Sequence, residues 1–291
     1  VTGEPGGQVR LAFIDRAMIA YSAFVTIVAL TRLDLKPRAA WVIAANVLTV
    51  FLIWMLHRPG LSSFGRTLRD IYPVLLLPAL YGALDLLNGF DVRTWDAELQ
   101  RVESAVFGGQ ISRTWWQSSP SRFWSILLHA TYFAYYLIVP FPALFFLARR
   151  EPDRAREAVA LVVVTFLFCY VVFLLFPVAG PYYEFPRPSV AFVDNWAARL
   201  VYATLGQGSS FGAAFPSSHV AATFASTIAT WYGSRRAGLV LLVPTLLLTV
   251  GVVYCQMHYA LDALVGVLIP IPIAFAMRRK DGRTERRTDG L

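Results

Sequence analysis

Apolar runs long enough to cross a bilayer recur along this chain, and they limit what it can fold into more than any other feature. Eight fall at residues 17–30, 39–56, 71–87, 123–147, 158–176, 214–231, 239–254 and 259–277. A hydrocarbon core takes about 20 helical residues per crossing, and it tolerates neither open sheet edges nor lipid-exposed loops. Only 15% of the residues are charged, against about a quarter in soluble domains. The expected fold class is all-α, a polytopic transmembrane helical bundle of about eight spans. The first run lacks a small-residue cleavage site and reads as an anchor rather than a removable signal. The last three runs are short or closely spaced and read as tilted or shielded by neighbours.

The net charge of +8 is distributed in short loops. Arg58, Arg66 and Arg69 lie between the second and third runs. Arg149, Arg150, Arg154 and Arg156 share one loop, and Arg235 and Arg236 another. Arg278, Arg279 and Lys280 open the tail 278–291, which reads as basic, cytoplasmic and disordered. With eight spans these clusters share one side, the cytoplasmic one by the positive-inside rule. Arg32, Lys36 and Arg38 are the exception. No continuous basic face exists, so nucleic acid is excluded as a partner and membrane lipids are the expected surroundings. The expected location is a bacterial plasma membrane.

Three segments then meet on the extracytoplasmic side: 88–122, 178–213 and 255–258. The first carries Trp95, Leu99, Val102, Val106, Trp115 and Trp116, a spacing that predicts an amphipathic helix lying in the interface. Cys169 and Cys255 have no metal-ligand spacing and read as unpaired core thiols. No cofactor is expected. Without a carboxylate or His/Cys cluster of ligand spacing, no metal is expected either.

Two of the four histidines stand at the mouths of apolar runs on that side, where a titratable ring is costly without a partner. Pro216-Ser217-Ser218-His219 reads as a helix start. Ser217 or Ser218 can cap its free backbone donors, and those donors with the helix dipole favour an anion. The bland alternative is a capping turn with a bonded histidine. His258 has Asp262 at i+4, on the same helix face. A carboxylate on one ring nitrogen fixes the tautomer and leaves the other nitrogen as a nucleophile. The alternative is a buried pair that only ties two helices together. Two imidazoles and one orienting carboxylate are the parts needed for phosphoryl transfer through a phosphohistidine. Arg187 is a candidate phosphate clamp, because a guanidinium holds two oxygens at once. Tyr182, Tyr183 and Gln256 are candidate headgroup or phosphate donors, the tyrosines equally explained as an ordinary interfacial loop.

In chain order, Arg187-Pro188, Pro216-Ser217-Ser218-His219 and His258-Tyr259-Ala260-Leu261-Asp262 resemble the motifs of the type 2 phosphatidic acid phosphatase superfamily, written K-x6-R-P, P-S-G-H and S-R-x5-H-x3-D. The resemblance covers residues 71–277. It implies a six-helix core there that includes the interfacial segment 88–122, with an N-terminal tail and two accessory helices over 1–70. Residues 91–136, above all Tyr132-Phe133-Ala134-Tyr135-Tyr136, are similar to the branch containing inositol phosphorylceramide synthases, the aureobasidin-resistance branch. The resemblance also implies His258 as nucleophile, Asp262 as its orienter, His219 as proton donor to the leaving oxygen, Arg187 on the phosphate, and no metal.

The departures bear on substrate. Gly180 stands where the first motif has lysine, Gly251 and Val252 where the third has serine and arginine, and Ser218 where the second has glycine. Losing two cations fits a singly charged phosphodiester better than a monoester, which carries close to two charges. The leading expectation is a phospholipid headgroup phosphotransferase with a phosphatidylinositol-type donor and a lipid or polyol hydroxyl acceptor. The alternative is a lipid phosphatase acting on a phosphatidate- or polyprenyl-phosphate-type monoester or pyrophosphate. A transporter fits less well, because the ionisable groups lie at helix mouths on one face and no halves repeat.

Overall fold

The computed structural model describes residues 12–278, apart from the Gln207 side chain. The polar N-terminal stretch and the expected basic tail from residue 279 onward lie outside the described residues. The described residues form helices and no strands; one isolated parallel bridge joins Val178 to Ala213. The chain divides into two compact units, one ending at Leu87 and the other beginning at Asn88.

The first unit holds α1 (Phe13–Arg32), α2 (Ala39–Leu56) and α3 (Ser63–Leu87). Each is long and apolar enough to cross a membrane. Helices in lipid gain little from apolar burial against each other and rely on packing and hydrogen bonds. Here Asp15, 2% exposed, accepts a bond from Tyr72 Oη at 2.7 Å and lies 3.1 Å from His57 Nε2. One carboxylate therefore joins α1, α3 and the end of α2. The lone histidine of this unit is thus accounted for by structure. Val47, Leu48, Phe51 and Trp54 of α2 are exposed, as a lipid-facing surface requires.

The second unit opens with α4 (Asp96–Phe107) and α5 (Ile111–Ser118), followed by α6 (Arg122–Phe133), α7 (Tyr135–Ile138), α8 (Phe141–Ala148) and α9 (Pro152–Leu175). The short turns α10 (Pro181–Glu184) and α11 (Val190–Val193) lead to α12 (Trp196–Gly208), α13 (Ser218–Gly233), α14 (Arg235–Tyr254) and α15 (Ala260–Leu268). Apolar helix continues past α15 to Arg278.

Across the described residues six helices are long and apolar enough to span a membrane. The expected run 123–147 is not one straight helix. Proline lacks the N–H a helix interior needs, and around Pro140 the axis bends by 49° between 122–138 and 141–148; counted as one span, that pair makes seven. The expected run 214–231 gives α13, 16 residues long and short of the about 20 a crossing takes. It packs against α9, α14, α15 and α8. Ala221, Ala222 and Ala225 are fully buried, and such small side chains let neighbouring backbones come close. Its hydroxyls are satisfied locally: Thr227 Oγ1 and Thr230 Oγ1 bond back four residues to the Thr223 and Ser226 carbonyls. Thr227 also meets Thr245 of α14 at 2.8 Å, a bond worth about 0.6–1.7 kcal/mol between membrane helices.

Candidate active site

The site is built where the starts of α13 and α15 meet the turn after α14. That turn is set by the backbone. Gln256 takes a left-handed conformation, φ 59°, which ends a helix by turning the next N–H groups back on the last carbonyls. The amides of Met257 and His258 both donate to the Val252 carbonyl at 2.9 Å. Gln256 is already engaged on both ends of its side chain. It is 2% exposed, its Nε2 donates to the Pro186 carbonyl at 2.9 Å, and its Oε1 accepts from Trp116 Nε1 at 2.9 Å. Those bonds offset the left-handed penalty of a residue with a Cβ, about 1–2 kcal/mol. They also tie the loop carrying Arg187 to the turn carrying His258.

His258 is held by two acceptors. Its Nδ1 lies 3.0 Å from the Ala214 carbonyl and 3.3 Å from Asp262 Oδ2. An N–H on Nδ1 serves both, and Nε2 keeps its lone pair. The expected orienter therefore shares its task with a backbone carbonyl that stands nearer. Asp262 also accepts the Tyr259 amide at 2.8 Å, capping α15. Burial pushes the His258 imidazole down to about 4, so the ring is neutral, as a nucleophile must be.

Ser217 caps α13, accepting the Val220 amide, and its own amide donates to the Asp262 backbone carbonyl at 3.0 Å. A Cβ at Gly266 would lie 2.8 Å from the Ser217 carbonyl, so glycine there lets α15 seat directly on the start of α13. The result brings His219 to His258 with ring centroids 5.9 Å apart. Ser218 is buried beside them.

Arg187 is exposed, its guanidinium 3.4 Å above the Tyr182 ring, a cation–π contact. Tyr182 thus carries the arginine. Tyr183 turns away from it, its hydroxyl donating to Ser209 and its ring against Phe90 and Phe211. Arg199, on α12, pairs with Asp194 at 3.4 Å.

The positions that depart from the motif pattern have steric reasons. Gly180 has φ +87°, and a Cβ there would come within 2.6 Å of Ala214 Cβ. Gly251 lies against the Leu128 carbonyl, and Val252 is fully buried. A lysine at 180 would clash with Ala214 through its Cβ, and an arginine at 252 would replace a fully buried valine.

Two acidic groups around the site are absent from the sequence expectations, and a pair of tyrosines enters them only through the aromatic stretch 132–136. Asp96, 2% exposed, accepts the amides of Ala179 and Gly180 at 2.8 Å and the Tyr259 hydroxyl at 3.0 Å. Glu103, fully buried, accepts the Leu261 amide at 3.3 Å beside Asp262. Burial, aided by the Asp262 charge, pushes its carboxyl up to about 7 against the bonds that lower it. Tyr132 stacks on His219 at 4.8 Å with its hydroxyl 3.3 Å from Nε2, and Tyr135 packs on the same ring at 4.5 Å.

Helix α4 has two distinct faces. Its inward face is Asp96, Leu99 and Glu103, while Val102 and Val106 point outward at 52% and 59% exposure. Trp116 is likewise buried in the core rather than displayed at an interface. The i, i+3, i+7 spacing of Asp96, Leu99 and Glu103 puts all three on one helix face.

Among the described residues no three His, Cys, Asp or Glu side chains are grouped to hold a metal ion. The family model for the PAP2 superfamily matches residues 97–276, more than half of the chain. No curated protein and no solved structure matches it.

Proposed function

We propose, from the premise that this chain belongs to the PAP2 superfamily, that it is a phospholipid headgroup phosphotransferase working through a phosphohistidine. Phosphatase or phosphotransferase chemistry is the superfamily's; transfer is our reading. The observation that carries it is the His219–His258 pair, 5.9 Å apart, with His258 held only through Nδ1. At that ring separation one phosphate group can be met by both imidazoles.

In the first half-reaction His258 Nε2 attacks phosphorus. The P–O bond to the diacylglycerol oxygen breaks, and that oxygen takes a proton from His219. In the second half-reaction His219 takes the proton of a lipid or polyol hydroxyl, whose oxygen displaces His258. Asp262 stabilises the positive charge on the phosphorylated ring. Arg187 on Tyr182 and the start of α13 meet the phosphate charge.

A phosphodiester donor of the phosphatidylinositol type is favoured by charge. Arg187 supplies one positive charge and a helix terminus about half a unit, while positions 180 and 252 supply no further cation. A dianionic monoester would leave roughly one charge uncompensated among buried helix ends, at a cost of several kcal/mol. The inositol phosphorylceramide synthase branch fits this reading through the aromatic stretch at Tyr132. The active face is proposed to be extracytoplasmic. Side-by-side turnover of phosphatidylinositol and phosphatidate tests the proposal, with and without a ceramide or polyol acceptor. Faster cleavage of phosphatidate would refute the diester reading and favour a monoesterase.

A further inference from the structure

The two histidines are held by opposite nitrogens. His258 is fixed through Nδ1, by the Ala214 carbonyl and Asp262. His219 is met on Nε2 by the Tyr132 hydroxyl, with the two rings stacked at 27°. An imidazole has two nitrogens. If Nε2 is committed to Tyr132, only Nδ1 is left to exchange a proton with substrate.

We propose that Tyr132 is the positioning residue for the general acid, holding His219 through Nε2–H so that Nδ1 is the nitrogen that gives and takes the substrate proton. This rests on the reading of His258 as nucleophile and His219 as acid. The proton balance follows. Burial pushes the free His219 imidazole down to about 3, so its acid form is one sustained by the negative charge of bound phosphate; in that form the ring carries protons on both nitrogens, and Nε2–H donates to the Tyr132 oxygen. As His258 Nε2 bonds to phosphorus, the departing electron pair goes to the leaving oxygen, which takes the Nδ1 proton. His219 is then neutral, still protonated on Nε2, and its Nδ1 lone pair is free for the acceptor's proton. Tyr132 keeps its own proton throughout. The stacked ring, 7% exposed, stops the imidazole from rotating between the two half-reactions. Tyr132 comes from the end of α6 and His219 from the first turn of α13, so no local motif joins them.

The experiment compares two substrates that share a phospho-headgroup and differ in the leaving group. One is phosphatidylinositol, whose alkoxide needs a proton. The other is the p-nitrophenyl ester of inositol phosphate, whose phenolate leaves without one. Correct proton donation is worth about 10²–10⁴-fold in rate, so Tyr132→Phe should lower the ratio of the first rate to the second by about tenfold or more. His219→Ala should lower it at least as far. An unchanged ratio in Tyr132→Phe, whether both rates fall together or neither falls, overturns the proposal. An unchanged ratio in His219→Ala overturns the acid role itself, and this inference with it. A second measurement needs no variant: ¹⁵N chemical shifts of His219 in the wild-type protein should report the Nε2–H tautomer when neutral. The Nδ1–H tautomer there would refute the assignment.

Discussion

At the scale of residues, the His258–Asp262 spacing foretold a contact and the structure adds a second acceptor. With the Ala214 carbonyl at 3.0 Å and Asp262 at 3.3 Å, the tautomer of His258 survives loss of the carboxylate charge. Where a carboxylate alone sets the tautomer, its amide variant loses about 10⁴-fold. Asp262→Asn is therefore expected to lose less, about 10²-fold in kcat, while His258→Ala loses all measurable turnover with the protein still folded. Single-turnover assays on both variants check this, and equal losses would make Asp262 the sole orienter. Glu103 gives a pH signature. Its carboxyl is raised from 4.5 to about 7, so the folded protein holds a proton that the unfolded chain releases. Stability from this group is fully present below pH 4.5, falls as pH rises, and is flat again above about 7. Glu103→Gln should flatten the dependence of Tm on pH across that window. An unaltered slope would mean that another group carries it.

At the scale of elements, α4 acts as a brace. Asp96 holds the Ala179–Gly180 backbone and Tyr259, and Glu103 holds the start of α15. Both reach the turn and helix start around His258 from one helix face. Gly180 is the tightest point of this arrangement. Restoring the superfamily's lysine by Gly180→Lys adds a cation, but it places a Cβ 2.6 Å from Ala214 Cβ at φ +87°. The positive φ alone costs about 1–2 kcal/mol. The variant should melt lower and lose turnover of both monoester and diester. A gain of phosphatidate hydrolysis at unchanged Tm would show that the loop yields and that missing charge, not space, set the substrate.

At the scale of the molecule, the proposed sidedness rests on arginine placement, by which Ser209, His219 and His258 are expected on one side and Ser234 on the other. A cysteine at Ser209 should react with a membrane-impermeant thiol reagent in intact cells, and one at Ser234 should not. The reverse labelling would invert the orientation. Hydropathy alone carried the class of fold. Lipid leaves the backbone few choices, and each run had to become a helix. It could not tell a lipid-facing span from α13, because a helix buried among helices tolerates Ser, Thr and a short length that lipid would not. The break at Pro140 was readable in principle, but apolar residues on both sides concealed it. Local spacing gave His258 with Asp262, since i and i+4 share a face in any helix. The arrival of His219 beside them depended on Gly266 and on the Ser217–Asp262 backbone bond. The contacts of Asp96, Glu103 and Ala214, and that of Tyr132 with His219, were beyond reach for one reason. They span 44 to 163 residues of chain, and a contact of that span leaves no periodic mark on either partner's neighbourhood. Sequence by itself determined that the chain forms apolar helices and carries two histidine motifs. Tertiary packing decided which nitrogen each histidine presents, because a ring's orientation is set by whichever acceptor the fold brings to its other side.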